Sequence, residues 1–345
     1  SAQVMRRIIE LRPGEVDARL ALERALVRQG DLLAAMDVLR QLLELAPRRS
    51  REFYQRLASY AMQLQRDDEA LEYAAQALAL NPDDPQGHYR LAQLYRQQGN
   101  GDRAVVEYRR ALELDDRLYD AYLELAELHE TRSQASEAIR IYLRLLSKSP
   151  DDALVSRAGR QALLLAVMDD SLARLEHELL PLALAHTERE VYRRLLVSLY
   201  GSLTWSLIQT VAHGSPGDAA RAREELRSIG QRSLQPLLDA LLDADPEQQE
   251  AAVSMLGHLG NTSAAIPLVA FASGDASSAL RARALVAAGQ VGDERVVSEL
   301  VDILEGGHNV AHREAAAFGL GQIANPAAIR ALAEHRSDAS PSIRA

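Results

Sequence analysis

Cysteine is absent from this sequence of 345 residues, and lysine and aromatic residues are scarce. Without cysteine there can be no disulfides, iron–sulfur clusters, thiolate zinc sites or cysteine nucleophiles. Lys148 is the only lysine among 39 Lys and Arg residues, so it is the only possible Schiff-base amine, and no GxxxxGK phosphate loop can be built. Aromatic residues make up 4% of the chain, and its abundant alanine and leucine favour close helix packing over a β-rich fold.

The charge balance narrows the classes of partner. The chain is 47% hydrophobic and 26% charged, which is typical of a soluble, folded protein. Its net charge of −10 argues against broad binding to nucleic acids or anionic membranes, because both carry negative charge. We therefore expect a soluble protein whose partners are proteins, with a cytoplasmic location favoured and a periplasmic one left open.

Internal repeats decide the architecture. Four units of 34 residues each have a leucine at the seventh position and an alanine at the twentieth. The units cover residues 16–49, 51–84, 85–118 and 119–152. The leucines are Leu22, Leu57, Leu91 and Leu125, and the alanines are Ala35, Ala70, Ala104 and Ala138. Two antiparallel helices in each unit would need such small residues where their backbones approach.

This pattern resembles the tetratricopeptide (TPR) family. Pro47, Pro82 and Pro150 stand near the ends of three units, where a second helix is expected to stop. The resemblance implies an array of paired helices over residues 1–152. Within it, residues 1–15 would form the closing part of a preceding repeat.

Residues 218–345 carry a second period, of 30 to 32 residues. The phrases Ile229-Gly230, Leu259-Gly260 and Val291-Gly292 recur at this spacing. An arginine recurs near the start of the first helix of a repeat, as Arg281, Arg313 and Arg344. The pattern resembles HEAT repeats, of the short type named after phycobilisome lyases. The resemblance implies stacked helix pairs.

The aligned arginines have two interpretations. The family resemblance suggests that they pair with aspartates of a neighbouring loop, and Asp275 and Asp338 stand six residues ahead of Arg281 and Arg344. Alternatively, a row of arginines could bind phosphates. Residues 218–345 hold 11 arginines against 17 Asp and Glu, and this negative balance favours the structural role. The predicted ladder comprises Arg281, Arg313, Arg344, Asp275 and Asp338.

Residues between the two arrays match neither period. We expect helices near 153–168, 171–186 and 188–213. The last has no charge over 195–212, which raises the question of a membrane span, but its serines and threonines dilute a stretch that is already short for spanning. A buried junction helix is favoured. Trp205 is expected to cover a contact with a neighbouring helix, and the alternative is a partly exposed side chain packed on its own array. Its expected apolar face is Tyr192, Leu196, Leu199, Leu203, Leu207 and Val211.

We therefore predict an all-α double solenoid with no membrane span. A TPR superhelix covers residues 1–152, a helical junction covers 153–217, and a HEAT-repeat array covers 218–345. Both ends of the chain look cut inside a repeat, since solenoids normally end in polar caps. We expect the chain to be a piece of something longer.

Three patterns that suggest chemistry have simpler explanations. Residues 319–324 spell GxGxxA, but a dinucleotide site needs a preceding strand, and this string closes an Ala-rich helix. His308 and His312 have a metal-ligand spacing, but His308 follows two glycines and is expected in a loop. His312 and Glu314 are separated by an arginine, unlike the His-Glu pairs of di-iron HEAT enzymes. We predict no metal, no cofactor and no catalytic residue.

The TPR resemblance also implies a binding groove. In the family, the concave face uses positions 2, 5, 9, 12 and 13 of each unit. Carried over to this chain, the groove set is Arg24, Arg28, Gln55, Gln63, Tyr89, Gln93, Arg96, Gln97, Glu127 and Glu130. The lysine and asparagine clamp that the family uses for chaperone tails is missing. Amides and a tyrosine suit hydrogen bonding to an extended main chain, although an ordinary solvated groove remains the alternative.

These features predict a non-catalytic scaffold or adaptor, within a larger bacterial assembly, that binds an extended peptide segment in the groove. Arginines in the first repeat and glutamates in the fourth predict that the acidic part of that segment lies toward the first repeat. Two other classes stay open: an enzyme of bilin-lyase type, suggested by the HEAT resemblance, and a nucleic-acid-binding HEAT protein.

Overall fold

The structure is a computed structural model that describes residues 2–243, 245–306, 309–338 and 340–344. Within these ranges the chain forms 21 α-helices and no strand, which confirms the all-α prediction. The helices group into two compact units, Ser1–Pro150 and Asp151–Ala345. The separation of a junction from a HEAT array inside the second unit stays a prediction.

The first unit consists of one helix followed by four helix pairs. Helix α1 covers Ala2–Leu11. The pairs are α2 (Val16–Arg28) with α3 (Leu32–Leu45), α4 (Ser50–Gln63) with α5 (Asp67–Ala79), α6 (Pro85–Gln97) with α7 (Gly101–Leu114), and α8 (Tyr119–Thr131) with α9 (Ala135–Lys148). Each second helix packs against the first helix of the next pair, so every repeat buries its apolar face against a neighbour.

The small residues expected at the helix contacts are buried. The four alanines at the twentieth position have no exposed surface, and the four leucines at the seventh are at most 6% exposed. A larger side chain at one of the alanine sites would overpack the contact, at a cost of about 1–3 kcal/mol. The 34-residue period therefore reports where the backbones approach.

The turn between the helices of each pair holds one residue in the left-handed region. These residues are Gly30, Gln65, Gly99 and Ser133, with φ of 80°, 57°, 73° and 56°. Glycine adopts this conformation without steric cost, whereas glutamine and serine bring Cβ close to the following carbonyl oxygen. Ser133 thus keeps the geometry of the glycine turns at the expense of some strain.

The second unit contains twelve helices in the part of the chain that the structure describes. The first four are α10 (Asp152–Met168), α11 (Leu172–Ala185), α12 (Glu190–His213) and α13 (Pro216–Arg232). The next four are α14 (Leu234–Ala240), α15 (Pro246–Leu259), α16 (Ala265–Ala272) and α17 (Ser278–Val291). The last four are α18 (Val297–Gly306), α19 (Val310–Ile323), α20 (Pro326–Glu334) and α21 (Pro341–Arg344).

Helix α12 is covered over its first half only. Tyr192 and Leu199 are buried as expected, but Leu207 and Val211, near its end, are only partly buried. Trp205 is 65% exposed, so the prediction that it covers a helix contact is wrong. By length and composition α12 could cross a membrane; a third of its most apolar stretch is buried, and core helices of soluble proteins pass the same test.

A glycine in the left-handed conformation ends each of the helices α15 and α17. Gly260 and Gly292 follow α15 and α17 with φ of 63° and 78°, and Ala324 takes the same place after α19 with φ of 50°. A left-handed residue at this point lets the chain leave the helix. Gly230, by contrast, lies inside α13, so the Ile229-Gly230 pair does not mark the end of a helix.

Glycines inside the first helices allow close approach of consecutive repeats. A Cβ added to Gly289 of α17 would lie 2.2 Å from the Cα of Gly319 on α19. Gly319 is also the first glycine of the GxGxxA string at 319–324, which closes α19. The string therefore has a packing explanation.

Candidate protein-binding surface

All ten residues of the groove set lie on the first helices of the four pairs. Helix α2 holds Arg24 and Arg28, α4 holds Gln55 and Gln63, α6 holds Tyr89, Gln93, Arg96 and Gln97, and α8 holds Glu127 and Glu130. Consecutive first helices are joined by polar side chains, and some members of the groove set form these joints. The positions that remain open to a partner are therefore fewer than ten.

The first joint is a buried carboxylate on α2. Glu23 is 1% exposed and accepts a hydrogen bond from Arg56 Nη1 of α4 at 3.1 Å. The hydroxyl of Tyr60, also on α4, donates to the other oxygen of the same carboxylate. Burial, followed by this hydrogen bond, raises the pKa of Tyr60, so the phenol keeps its proton and remains a donor. None of these three residues belongs to the groove set.

The second joint engages one member of the groove set. Gln55 Nε2 of α4 donates to Asp84 Oδ2 at 3.1 Å, and Arg51 Nη2 lies 3.5 Å from the same oxygen. Asp84 immediately precedes α6. The Gln55 amide thus connects α4 to the start of the next repeat.

The third joint gathers the centre of the groove set around Glu124 of α8. Tyr89 Oη donates to Glu124 Oε1 at 2.6 Å, and Gln93 Nε2 donates to the same oxygen at 2.9 Å. Tyr108 Oη of α7 donates to Oε2 at 2.6 Å, and Arg96 Nη2 lies 3.4 Å from it. Three of the predicted binding residues, Tyr89, Gln93 and Arg96, therefore contact the Glu124 carboxylate within the protein.

The two phenols of this joint are held in their protonated form. Burial is the main cause that raises the pKa of both Tyr89 and Tyr108, and the hydrogen bond to Glu124 adds to it. Tyr108 is completely buried, whereas Tyr89 is partly exposed. The role of Tyr89 in binding a partner stays a prediction, but its hydroxyl already donates a hydrogen bond to Glu124.

The acidic end of the groove set is engaged as well. Glu130 accepts a hydrogen bond from the hydroxyl of Tyr142 on α9. Glu127 lies 3.6 Å from Arg96 Nη1. Arg96 and Glu127 also border a cleft of about 580 Å³ between α6 and α8, next to an ion pair of Arg132 with Asp102. The two glutamates of the fourth repeat therefore already have contacts within the protein, of which the one between Glu127 and Arg96 offsets charge.

The basic end of the groove set is open. Arg24 and Arg28 are exposed and stand four residues apart on α2, hence on the same face. Gln63 and Gln97 are exposed near the ends of α4 and α6. In the described part of the chain, none of these four side chains has a hydrogen bond or an ion pair.

The HEAT arginines bind carbonyl oxygens of the preceding helix ends. Arg281 Nε donates to the carbonyl of Ala272, and Arg313 Nε donates to that of Leu304 at 2.8 Å. Since the last carbonyls of a helix lack partners within it, each arginine satisfies an acceptor left open by the turn. Arg344 Nη1 likewise donates to the main-chain oxygen of Asp338 at 2.7 Å.

The expected aspartate partners need correction. The Asp338 carboxylate pairs with Arg313, 25 residues earlier, and not through its side chain with Arg344. Asp275 is exposed, and among the described residues it has no ion pair with Arg281. The prediction reversed the direction of the contact. The guanidinium of Arg313, near the start of α19, reaches the loop that follows in sequence, whereas the prediction paired each arginine with the loop before its own helix.

The expectation of no metal site concerns two histidines. His308 lies outside the described residues. His312 Nε2 contacts the carbonyl oxygen of Ser278 at 3.0 Å. Among the residues that the structure describes, no group of three or more His, Asp or Glu could hold a metal ion.

Comparison with known families gives two matches. Residues 56–118 and 89–153 match the tetratricopeptide repeat, and residues 267–345 match HEAT repeats. Both predicted repeat types and their order are confirmed. No curated protein matches the chain.

Several solved structures are similar to parts of the chain. A tetratricopeptide repeat protein from Parabacteroides merdae is 15% identical, with 79% of this chain and 98% of that one covered and a TM-score of 0.41. YrrB, described as a TPR protein with an unusual peptide-binding site, is 14% identical, with 56% and 97% covered and a TM-score of 0.41. MamA is 21% identical, with 42% and 84% covered and a TM-score of 0.39.

Proposed function

Because the chain carries tetratricopeptide repeats followed by HEAT repeats, we propose that it is a non-catalytic scaffold or adaptor. It binds an extended peptide segment of a partner on the groove set and so takes part in a larger assembly. The observation that carries the proposal is the pair Arg24 and Arg28, exposed on one face of α2 and without a partner among the described residues. Guanidinium groups recognise carboxylates with two parallel hydrogen bonds, so this end suits an acidic stretch.

The remainder of the groove set supports binding through the main chain. The amides of Gln63 and Gln97 are exposed, and each offers donors and an acceptor to an extended backbone. The hydrogen bonds to Glu124 fix Tyr89 and Gln93 in place. A partner that meets side chains already ordered loses less conformational entropy on binding. The internal joints therefore favour a preorganised surface.

The charges of the groove set favour one orientation of the segment. The acidic part of the segment lies toward α2, because its arginines are open. The basic part gains less at α8, because Glu127 and Glu130 already have partners. Orientation is thus set chiefly at the basic end.

Selection from a phage-displayed library of random peptides tests this proposal on the whole chain. We expect enriched peptides to be rich in Asp and Glu, and their binding to weaken at least tenfold in the double variant Arg24→Glu/Arg28→Glu. Salt should weaken binding to the wild type as well, because exposed charges are screened beyond about 10 Å at 0.1 M ionic strength.

The matched control is Arg48→Glu/Arg117→Glu, which changes the net charge equally in turns between repeats. This control should bind the selected peptides as the wild type does. Equal losses in both double variants would reduce the effect to net charge. Unchanged binding to the α2 variant would remove the groove set as the site.

A further inference from the structure

The second unit has a repeating position for an arginine and another for an aspartate. Five helices of the second unit, taken here as one series of first helices, have an arginine or a glutamine as their fourth residue: Arg193 in α12, Gln249 in α15, Arg281 in α17, Arg313 in α19 and Arg344 in α21. Six residues before the last four of these positions, in the loop, stand Asp243, Asp275, Gly307 and Asp338. Gly307 lies outside the described residues.

Two of the three loop aspartates receive a guanidinium from the preceding first helix in this series. Arg193 Nη2 lies 3.1 Å from one oxygen of Asp243, and Arg194 Nη2 lies 2.9 Å from the other. Arg313 pairs with Asp338 in the same forward direction. The side chains of these two aspartates are 0% and 7% exposed. A filled aspartate is therefore buried beneath its arginine.

Asp275 lacks this arginine because glutamine stands at the fourth position of α15. The Gln249 amide donates to the carbonyl oxygens of Leu241, at 3.2 Å, and Asp243, at 2.8 Å. It thus satisfies the turn before α15, as Arg281 and Arg313 do for theirs, but has no second donor group to reach forward. Asp275 is exposed and, among the described residues, accepts no hydrogen bond and forms no ion pair.

Asp275 borders a cleft with apolar walls. The cleft has a volume of about 1080 Å³ and lies between the second helices α14 and α16. Leu238, Leu242, Pro267 and Phe271 form much of its walls, and Leu242 is 85% exposed. This volume slightly exceeds the usual range for small-molecule sites, about 300–1,000 Å³, so the cleft has room for side chains of a protein segment. An apolar side chain that entered the cleft would remove Leu242 from water.

We propose that this cleft binds a partner protein through a segment in which an arginine stands beside an aliphatic or aromatic residue. The arginine guanidinium of the segment pairs with the Asp275 carboxylate, as Arg193 and Arg313 of this chain pair with Asp243 and Asp338. The apolar residue beside that arginine packs on Leu242 and Phe271. Charge complementarity identifies the occupant, since the loop carboxylate accepts a guanidinium in each of the two repeats where one is supplied. This site is independent of the groove set.

The chemistry favours arginine over lysine. A guanidinium presents two parallel donors to a carboxylate, whereas an ammonium acts as a point charge that is more strongly hydrated. The arginine side chain is also flat and stacks on aromatic rings such as that of Phe271. Replacing arginine by lysine in a bound segment should therefore weaken binding measurably.

The test uses random peptides displayed on phage and the whole chain, and retains peptides that bind the wild type but not Asp275→Asn. We expect these peptides to contain arginine next to an apolar residue. In fluorescence anisotropy with one such synthetic peptide, Arg→Lys in the peptide should weaken binding at least fivefold, and Leu242→Ser in the protein should weaken it as well. The control Asp302→Asn, an exposed aspartate on α18, should bind normally.

A second variant tests the cleft from within. Gln249→Arg gives α15 the residue that α17 and α19 have at this position. Its guanidinium should pair with the Asp275 carboxylate and weaken peptide binding at least tenfold. The melting temperature should stay the same or rise. The proposal is overturned if no peptide depends on Asp275, if the dependent peptides lack arginine, or if Gln249→Arg binds them as the wild type does. A peptide that binds the groove set is unaffected by Asp275→Asn and so is not retained.

Discussion

Four carboxylates that join helices, two in each unit, show two different placements. In the first unit, Glu23 and Glu124 project from the first helices and collect phenols, an amide and guanidinium groups from neighbouring repeats. In the second unit, Asp243 and Asp338 sit in loops and each receives arginine from a preceding first helix. For these four carboxylates, the polar contact between helices lies on helix faces in the first unit and at helix ends in the second. The second unit also uses a helix face elsewhere, since Glu176 of α11 accepts hydrogen bonds from Arg232 of α13.

This difference decides which surface remains available. Joints on the helix faces occupy side chains that the TPR pattern assigns to binding. Among the described residues, the open members of the groove set are Arg24, Arg28, Gln63 and Gln97. The joints at Asp243 and Asp338 lie at helix ends and not on helix faces. Where the corresponding arginine is missing, the carboxylate of Asp275 remains open. Repeats that look alike in sequence therefore differ in what they offer a partner.

The largest effect is expected from Glu124→Ala in the first unit. It removes the acceptor of two phenols, one of them the fully buried Tyr108, and the free energy of unfolding should fall by about 3 kcal/mol. Urea unfolding followed by circular dichroism measures it. Glu113→Ala is the control, because Glu113 is exposed and, among the described residues, pairs only with exposed Arg110; a change below about 0.5 kcal/mol is expected there. Equal losses in both variants would mean that the Glu124 joint stabilises the fold no more than an exposed ion pair does.

A smaller effect, with a pH signature, is expected from Asp243→Asn in the second unit. Burial raises the pKa of Asp243, but hydrogen bonds from Arg194, from the Asp245 N–H and from Arg193 outweigh it, so the pKa is below its usual value. The carboxylate therefore stabilises the fold above the pKa of an unfolded aspartate, near 4, and this contribution is lost as pH falls through the lower native value. At pH 7 the variant should lose about 2 kcal/mol.

Melting temperatures of wild type and Asp243→Asn, measured from pH 7 down into the acid range, check this prediction. The difference between the two should shrink as the pH falls. Asp275→Asn is the matched control, since Asp275 has no partner in the described chain and its replacement should leave stability nearly unchanged. A loss at Asp275 as large as that at Asp243 would contradict the distinction between filled and open loop carboxylates.

The smallest effects compare the turns of the two units. Ser133→Gly in a TPR turn and Ala324→Gly after a HEAT helix should each stabilise by about 0.5 kcal/mol, because glycine adopts positive φ without strain. The reverse changes, Gly99→Ser and Gly292→Ala, should destabilise by about 1 kcal/mol. Chemical denaturation of the four variants measures both signs. A loss of stability on either change to glycine would show that its side chain makes a contact that offsets the strain.

The periodic features could be predicted from the sequence because they follow from packing. An alanine that recurs every 34 residues marks a point where two helices meet, and all four of these alanines are fully buried. The hydrogen-bond partners of individual polar side chains could not be predicted in the same way. Tyr89 reaches Glu124 across 35 residues, and positional transfer from a family selects the helix face without telling whether a side chain on it is already bonded.

Two errors have the same origin. The predicted apolar stripe runs along the whole of α12, but in the structure only its first half is covered by neighbours. The sequence pattern pairs Asp338 with Arg344, six residues later, although the side chain that reaches its carboxylate is Arg313. Period and proximity describe one helix or one loop, whereas these contacts depend on how the next repeat stacks.

The exposure of Trp205 gives the protein a built-in optical probe. It is the only tryptophan in the chain, it is 65% exposed, and it sits on the long apolar helix α12. Indole emission shifts to the blue when its surroundings become less polar, so a partner or a lipid bilayer that covers this face would change the colour of the light emitted by the unmodified protein. Titration with vesicles and with candidate proteins can therefore be read without any label.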